Sequence, residues 1–290
     1  MISVVILTKN EENDLPTCLN SVSWSDDVHV LDSGSTDRTQ DIARAWGAKV
    51  SLHPFESFGS QRNYALEKLE IRHEWILFLD ADEVVTQQFH KAMLEAINLA
   101  TADVAGYYCC WKMMLEGRWL KRCDNFPKWQ FRLLRKDKAR FTDFGHGQKE
   151  AEVTGEILYI KEPYLHYSFS KGWTQWMERH NRYSSQEAMA RLTNTPPLKN
   201  IFARHSSVRN PALKSWLSKL PGWPLLRFFQ AYFLSLGFLE GSQGFIYCIN
   251  MAYYEFLIQI KSREIIKRGD ELLQIDLHHA PAKRELVRSA

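Results

Sequence analysis

Four short apolar runs, separated by helix-like segments, constrain the fold of this chain more than any other feature. The runs cover residues 4–7, 28–31, 48–52 and 75–79. Strands that alternate with helices predict a parallel sheet covered by helices. We therefore expect an α/β domain in the first part of the chain.

Two carboxylates, Asp80 and Asp82, come directly after the fourth run. Ligands of open α/β sheets bind at the carboxyl ends of the strands. Clustered carboxylates repel each other unless a cation neutralises them, so this position suits a divalent metal that carries a diphosphate. An Asp-x-Asp sequence also occurs in solvated loops. The preceding strand and the adjacent Glu83 favour the metal interpretation.

The ends of the first two strands are also polar, with residues 8–12 after the first and 32–37 after the second. A carboxylate at a strand end can hydrogen-bond ribose hydroxyls or a base N–H, which favours a binding role for Asp32. Gly34 permits a tight turn and close backbone approach. These residues belong to the same predicted sheet edge as Asp80.

Length, net charge and cysteine content limit the kinds of protein that this chain can be. The 290 residues suffice for one large domain or a domain with an appendage. A net charge of +3 gives no support for a nucleic-acid partner. The five cysteines form no Cys-x-x-Cys pair, which indicates free thiols in a reducing compartment. Because the sequence enters a strand at once, we expect no secretory leader.

A break at residues 193–197, Thr-Asn-Thr-Pro-Pro, marks the predicted domain boundary. It follows a segment with helical spacing of apolar residues over 171–192. We expect a catalytic domain over residues 1–192 and a helical region over residues 193–290.

The helical region contains two apolar stretches, residues 223–239 and 244–260, and each carries a charge. Neither is a convincing membrane span, because each is about the minimum length for one and carries that charge. Between Lys199 and Leu239 there are six basic residues and no acidic one. This pattern predicts peripheral contact with an anionic membrane face, and a pair of buried packing helices is the alternative.

Four motifs in the first third of the chain together resemble the family 2 glycosyltransferases of the GT-A type. A looser similarity at residues 145–150 and 166–171 points to the lipopolysaccharide-core and exopolysaccharide branch. The resemblance implies a Rossmann-like mixed sheet flanked by helices, with a C-terminal helical appendage. The motifs are SVVILTKNEE (3–12), VLDSGSTD (30–37), GSQRNYA (59–65) and LDADE (79–83).

The resemblance also implies a nucleotide-sugar site with a bound Mn²⁺ or Mg²⁺. His166 would complete the metal shell, although a lone His is more often a packed core residue. In the implied site, Thr8, Asn10 and Glu11 line the nucleotide pocket, Asp32 contacts uracil or ribose, Arg62 lies near the diphosphate or ribose, Asp80 and the intervening Ala81 meet the ribose or sugar, and Asp82 ligates the metal.

Similar enzymes invert the anomeric carbon by direct displacement, with one carboxylate as general base on the acceptor hydroxyl. The metal offsets charge on the leaving diphosphate. Our candidate base is Glu150, with His146 orienting it or contacting the acceptor, and Asp143 is the second choice. The more common Glu-Asp pair is missing here. Glu150 is alternatively a solvated charge at a strand edge.

The expected activity is transfer of one sugar, from a UDP-sugar, to a glycolipid or polysaccharide acceptor in lipopolysaccharide-core or exopolysaccharide biosynthesis. The expected location is cytoplasmic, peripheral at the inner face of the bacterial inner membrane. One rival is a nucleotidyltransferase, but its triphosphate would need a glycine-rich basic loop where residues 8–12 are acidic. The other rival is a non-catalytic nucleotide-sugar-binding module.

Overall fold

A computed structural model of the chain describes residues 1–144 and 147–279. Its first part alternates strands and helices, as the sequence predicts. Ser57 caps the third helix by accepting from the backbone N–H of Ser60, and Gly47 ends the second helix at φ 99°. The elements are β1 (Ile2–Thr8), α1 (Leu15–Ser21), β2 (Val28–Asp32), α2 (Thr39–Trp46), β3 (Lys49–Leu52), α3 (Phe58–Lys68) and β4 (Trp75–Asp80).

These four strands pair in parallel in the order β3-β2-β1-β4. Thr8 is in register with Asp32, and Leu7 is in register with Asp80. The carboxyl ends of β1, β2 and β4 therefore meet at one edge of the sheet, where the polar motifs follow them.

The next part of the chain completes the sheet. Its elements are β5 (Glu83–Val84), α4 (Gln87–Leu99), β6 (Val104–Leu115), β7 (Arg118–Trp119), β8 (Trp129–Arg135), β9 (Arg140–Phe144), β10 (Gly147–Ala151) and β11 (Glu156–His166). The strand order is β3-β2-β1-β4-β8-β6-β11-β5, with β7 paired to β6. β8 is antiparallel to both β4 and β6, so the sheet is mixed. β9 and β10 pair separately. The predicted mixed α/β sheet with flanking helices is confirmed.

Hydrophobic residues cover both faces of this sheet. On one face Val4 lies in a cluster with Leu15 of α1 and Phe89 of α4. On the other face Val5 clusters with Leu66 of α3. Burial on both faces explains why the strands read as continuous apolar runs in the sequence.

By compactness the chain divides into two units. The first contains residues 1–179 and 228–250, and the second contains residues 180–227 and the chain from residue 251 onward. The predicted boundary after residue 192 stays a prediction. No helix within the described ranges is long and apolar enough to cross a membrane. The remaining helices are α5 (Gly172–Thr193), α6 (Ser206–Leu217), α7 (Trp223–Phe229) and α8 (Gly241–His279).

In the second unit, the carboxylate of the second apolar stretch is buried and paired. Glu255 accepts hydrogen bonds from Arg191 at 2.8 and 3.1 Å and from the indole N–H of Trp223 at 2.9 Å. Burial raises the pKa of Glu255, but Arg191 outweighs it and the pKa is lowered. Because a buried charge is tolerated when it is paired, α8 can carry this carboxylate inside a packed helix pair.

Candidate active site

The loops after β1 and β2 are joined through Asp32. This residue is fully buried. Its carboxylate accepts from the Thr8 hydroxyl at 2.9 Å and from the backbone N–H groups of Gly34 at 3.1 Å and Ser35 at 2.8 Å. Gly34 has φ +82°, a conformation that glycine adopts without strain. Thr8 and Asp32 therefore lie together at the predicted edge, where Asp32 shapes the turn.

Asn10 and Glu11 lie in the first of these loops. Asn10 accepts from the backbone N–H of Thr36 at 2.8 Å through its side chain. One oxygen of Glu11 contacts Lys171 Nζ at 2.5 Å, and the other is buried without a hydrogen-bond partner within the described chain. Burial raises the pKa of Glu11 to about 7, against the opposing effect of Lys171. The loop thus carries a buried acceptor whose hydrogen-bonding capacity is not used by the described chain.

Asp80, at the end of β4, is flanked by two buried arginines. Arg132 Nη2 lies 2.7 Å from one carboxylate oxygen, and Arg62 Nη2 lies 3.3 Å from the other. Burial raises the pKa of Asp80, but the two guanidinium groups outweigh it and hold the pKa well below its usual range. Burial lowers the pKa of Arg62 to about 10, so this side chain stays charged at neutral pH. The first carboxylate of the motif is therefore neutralised within the protein.

Glu83 connects the Asp80–Asp82 turn to the neighbouring strands through hydrogen bonds. Its fully buried carboxylate accepts from the backbone N–H of Asp80 at 2.9 Å, from Arg132 at 2.6 Å and from the Tyr164 hydroxyl at 3.1 Å. Burial raises the pKa of Glu83 to about 7. Ala81 is also buried, so the turn has little freedom to move.

Asp82 and His166 are brought together by strand pairing. His166 ends β11 and is in register with Glu83 of β5. Its Nε2 lies 3.5 Å from a carboxylate oxygen of Asp82. Burial raises the pKa of Asp82, but His166 outweighs it and the pKa is lowered. Burial lowers the pKa of His166, but Asp82 outweighs it and the pKa is raised.

This pair could supply one oxygen and one nitrogen to a metal ion. Within residues 1–144 and 147–279, no three His, Cys, Asp or Glu side chains cluster as a metal site. Mg²⁺ takes octahedral ligands at about 2.1 Å, which places adjacent ligands about 3 Å apart. The 3.5 Å separation of Asp82 and His166 is close to that spacing. The pair fits an ion that takes its other ligands from substrate phosphates and water.

The candidate bases lie apart from this centre, on β9 and β10. Glu150 accepts a hydrogen bond from the Tyr108 hydroxyl and lines a cavity of about 280 Å³ with Trp129. Asp143 accepts from the backbone N–H of Gly59 at 3.0 Å. In the described part of the chain, no hydrogen bond or ion pair joins either carboxylate to Asp82. The third candidate, His146, lies outside the described residues.

Sequence reasoning assigned no role to Arg132 or Lys171, although Lys171 lies in the segment 166–171 that it singled out. The signal for Arg132 is its place inside the apolar strand 131–134, because a charge in a buried strand requires an opposite charge. Lys171 gives no comparable signal, because its contact with Glu11 joins residues 160 positions apart in the sequence.

A family model described as glycosyl transferase family 2 matches residues 3–148, which is half of the chain. The chain belongs to this family. The match includes β1, β2, β4 and the Asp80–Asp82 turn, so the strand-end residues described above lie within the matched region. The resemblance of the four motifs is thereby confirmed.

Relatives of this glycosyltransferase extend over nearly its whole length. An uncharacterized glycosyltransferase of Rickettsia conorii is 27% identical, with 95% of this chain and 94% of that protein covered. The lipopolysaccharide core biosynthesis glycosyltransferase LpsC of Rhizobium meliloti is 23% identical, with 90% and 91% covered. The crystal structure of Staphylococcus aureus TarS 1-349 in complex with UDP-GlcNAc is 19% identical, with 92% of each chain covered and a TM-score of 0.46.

Proposed function

We propose that this family 2 glycosyltransferase moves one sugar from a UDP-sugar to a glycolipid or polysaccharide acceptor, with inversion at the anomeric carbon. The observation that carries the proposal is the pair Asp82 and His166 at the carboxyl end of β4, 3.5 Å apart and beside the arginine-flanked Asp80. This geometry supports a site for a metal-bound diphosphate.

The donor would lie along the edge formed by the loops after β1, β2 and β4. Thr8, Asn10 and Glu11 would contact the nucleotide, and the buried, unpartnered oxygen of Glu11 would accept a hydrogen bond from a hydroxyl or a base N–H. The carboxylate of Asp32 already accepts several hydrogen bonds from the protein. Asp32 would therefore affect the nucleotide indirectly, by stabilising the turn that faces the nucleotide. Arg62 and Asp80 would position the diphosphate and the ribose.

Asp82 and His166 would hold a Mn²⁺ or Mg²⁺ ion. The ion would offset charge that develops on the leaving diphosphate. The residues around it fix the pair in place: Tyr167 donates its backbone N–H to the Asp82 carbonyl at 2.8 Å, and Glu83 holds the turn from the other side.

Glu150 would act as the general base that removes the proton from the acceptor hydroxyl. The aromatic wall of its cavity, which includes Trp129 and Tyr108, suits the face of a sugar ring. Asp143 remains the second choice, since its carboxylate holds the start of α3 through Gly59. The acceptor oxygen would bond to the anomeric carbon as its proton passes to the base, on the face opposite the bond to the leaving diphosphate that breaks, which inverts the configuration.

The acceptor class rests on the likeness to LpsC, whose printed role is in lipopolysaccharide core biosynthesis. We extend it to a glycolipid or polysaccharide acceptor at the cytoplasmic face of the bacterial inner membrane. The protein would lie there as a peripheral enzyme, since no described helix could span the bilayer.

A thermal-shift panel of nucleotides and nucleotide-sugars, each with and without Mn²⁺, tests the proposal. A ligand that binds the native state alone raises the melting temperature by mass action. We expect a metal-dependent rise with UDP or one UDP-sugar, and its loss in Asp82→Ala. A rise with GDP or TDP alone would change the donor and keep the mechanism. No rise with any nucleotide, in a folded protein, would overturn the proposal.

A further inference from the structure

The segment from residue 228 to 250, here named the apolar strap, exposes large hydrophobic side chains in the first unit. It consists of the end of α7, a π-helical turn (Gln230–Leu234), a 3-10 turn (Gly237–Glu240) and the start of α8. Its single charged residue, Glu240, is buried. The large hydrophobic side chains that the strap exposes are 43% to 68% exposed. They include Phe229, Phe233, Leu234, Leu239, Phe245 and Ile249.

The strap is fixed to the first unit by the buried Glu240. Its carboxylate accepts from the backbone N–H groups of Arg122 at 2.6 Å and Cys123 at 3.1 Å. Its carbonyl accepts from the Arg118 guanidinium at 2.8 Å. Farther along the strap, the Tyr247 hydroxyl contacts the buried Asp124. The apolar surface is therefore held in one conformation.

Exposed cations lie in the segment to which the strap is anchored. Arg118, Lys121 and Arg122 are exposed, and the exposed carboxylate beside them is Glu116. Asp124 is buried and paired with Lys128, so it does not offset them. The anchoring hydrogen bonds of Glu240 place these cations beside the apolar residues.

We propose that the apolar strap, with Arg118, Lys121 and Arg122, is the surface by which the first unit rests on an anionic phospholipid bilayer. Monomeric proteins rarely expose so continuous an apolar patch without an interaction partner. A bilayer supplies both an acyl layer for the phenylalanines and leucines and anionic headgroups for the cations. A second copy of the chain would also cover the apolar surface. It would, however, bring the same cations against these cations, because a two-fold interface pairs a patch with itself.

This inference deepens the proposed function, on which it rests, by naming the contact that would bring the catalytic unit to a membrane-held acceptor. It assigns this role to the strap and its anchoring segment within the first unit.

Vesicle co-sedimentation of the full chain tests the proposal. The probes are vesicles of phosphatidylcholine alone and of equal parts phosphatidylcholine and phosphatidylglycerol. We expect binding to the anionic vesicles and its weakening by salt. Leu234→Glu with Leu239→Glu should lower binding by at least about tenfold for each leucine. The control is Leu99→Glu, which changes a more exposed leucine of α4 outside the strap and should leave binding unchanged.

A second pair of variants tests the charge. Lys121→Gln and Arg122→Gln should each lower binding to anionic vesicles by about fivefold. Lys91→Gln, at an exposed position of α4, is the control and should have no effect. Melting temperatures with UDP and Mn²⁺ show that the variants are folded and keep their donor site, so a failed donor site and a failed membrane surface give different results.

Three outcomes would overturn the proposal. The first is no binding to anionic vesicles by a folded chain that responds to UDP. The second is equal loss of binding in Leu99→Glu and in the strap variant. The third is a concentration-dependent dimer, seen by light scattering without vesicles and abolished by the strap variant, which would assign the surface to a second copy.

Discussion

Replacing Arg132 by methionine tests the charge balance of the Asp80 turn. The guanidinium is buried and lies 2.7 Å from Asp80 and 2.6 Å from Glu83. Removing one partner of a buried ion pair costs about 3–5 kcal/mol, because the other charge is left without compensation. Arg62 still contacts Asp80 at 3.3 Å, and Glu83 can take up a proton. We therefore expect the lower end of that range, about 3 kcal/mol at neutral pH.

The loss should grow above neutral pH. In the native protein the pKa of Glu83 is raised to about 7. The ionisation of Glu83 therefore lowers the free energy of unfolding as the pH rises from the pKa of the unfolded state to about pH 7. Above that pH it has no further effect. Without Arg132 the pKa rises further, because the cation that lowered it is gone. The variant should keep losing about 1.4 kcal/mol per pH unit above pH 7, where the native protein does not.

Urea unfolding without added metal measures this difference in the free energy of unfolding. Hydrogen exchange of the β4 and β8 amides reports it for the first unit. Arg135→Met is the matched control, on the same strand. Arg135 pairs with the exposed Glu74, a contact worth at most about 1 kcal/mol. The reasoning fails if both variants lose the same stability, or if the loss in Arg132→Met does not increase above pH 7.

Three further changes test the catalytic assignments. Asp82→Asn should abolish the metal-dependent part of UDP affinity while leaving the melting temperature of the unliganded protein within about 3 °C, measured by calorimetry with and without Mn²⁺. Glu150→Gln should keep donor binding and lower transfer by at least about a hundredfold; normal turnover would promote Asp143, to be tested by Asp143→Asn. Lys171→Met removes the cation beside Glu11, so the Glu11 pKa should rise above about 7 and UDP affinity should become more pH-dependent near neutrality, as titration calorimetry would show.

The polar residues at the sheet edge could be predicted because the ends of strands can be recognised in the sequence. Thr8, Asp32 and Asp80 each follow an apolar run, and the parallel pairing that places them together is a consequence of the strand–helix alternation. Periodicity and end signals are local properties, so they need no knowledge of the rest of the chain.

Contacts between distant segments could not be predicted in this way. The pairing of Arg132 with Glu83 depends on β8 inserting between β4 and β6, an order that the sequence does not encode locally. Glu150 of β10 accepts a hydrogen bond from Tyr108 of β6, a contact across 42 positions of sequence that no spacing indicates. The proximity of Asp82 and His166 followed from family resemblance, since 84 residues separate them in the sequence.

The distribution of charge at the edge explains why a donor diphosphate should need a metal here. Asp80 and Glu83 share Arg132, and Arg62 adds a second cation to Asp80. Asp82 is paired with His166, and Glu11 is paired with Lys171. Because these four carboxylates are matched by four cations, this cluster has little net positive field to attract a diphosphate. A divalent ion at Asp82 would supply that missing positive charge, so UDP alone should bind weakly and its affinity should rise with Mn²⁺ concentration until the ion saturates its site.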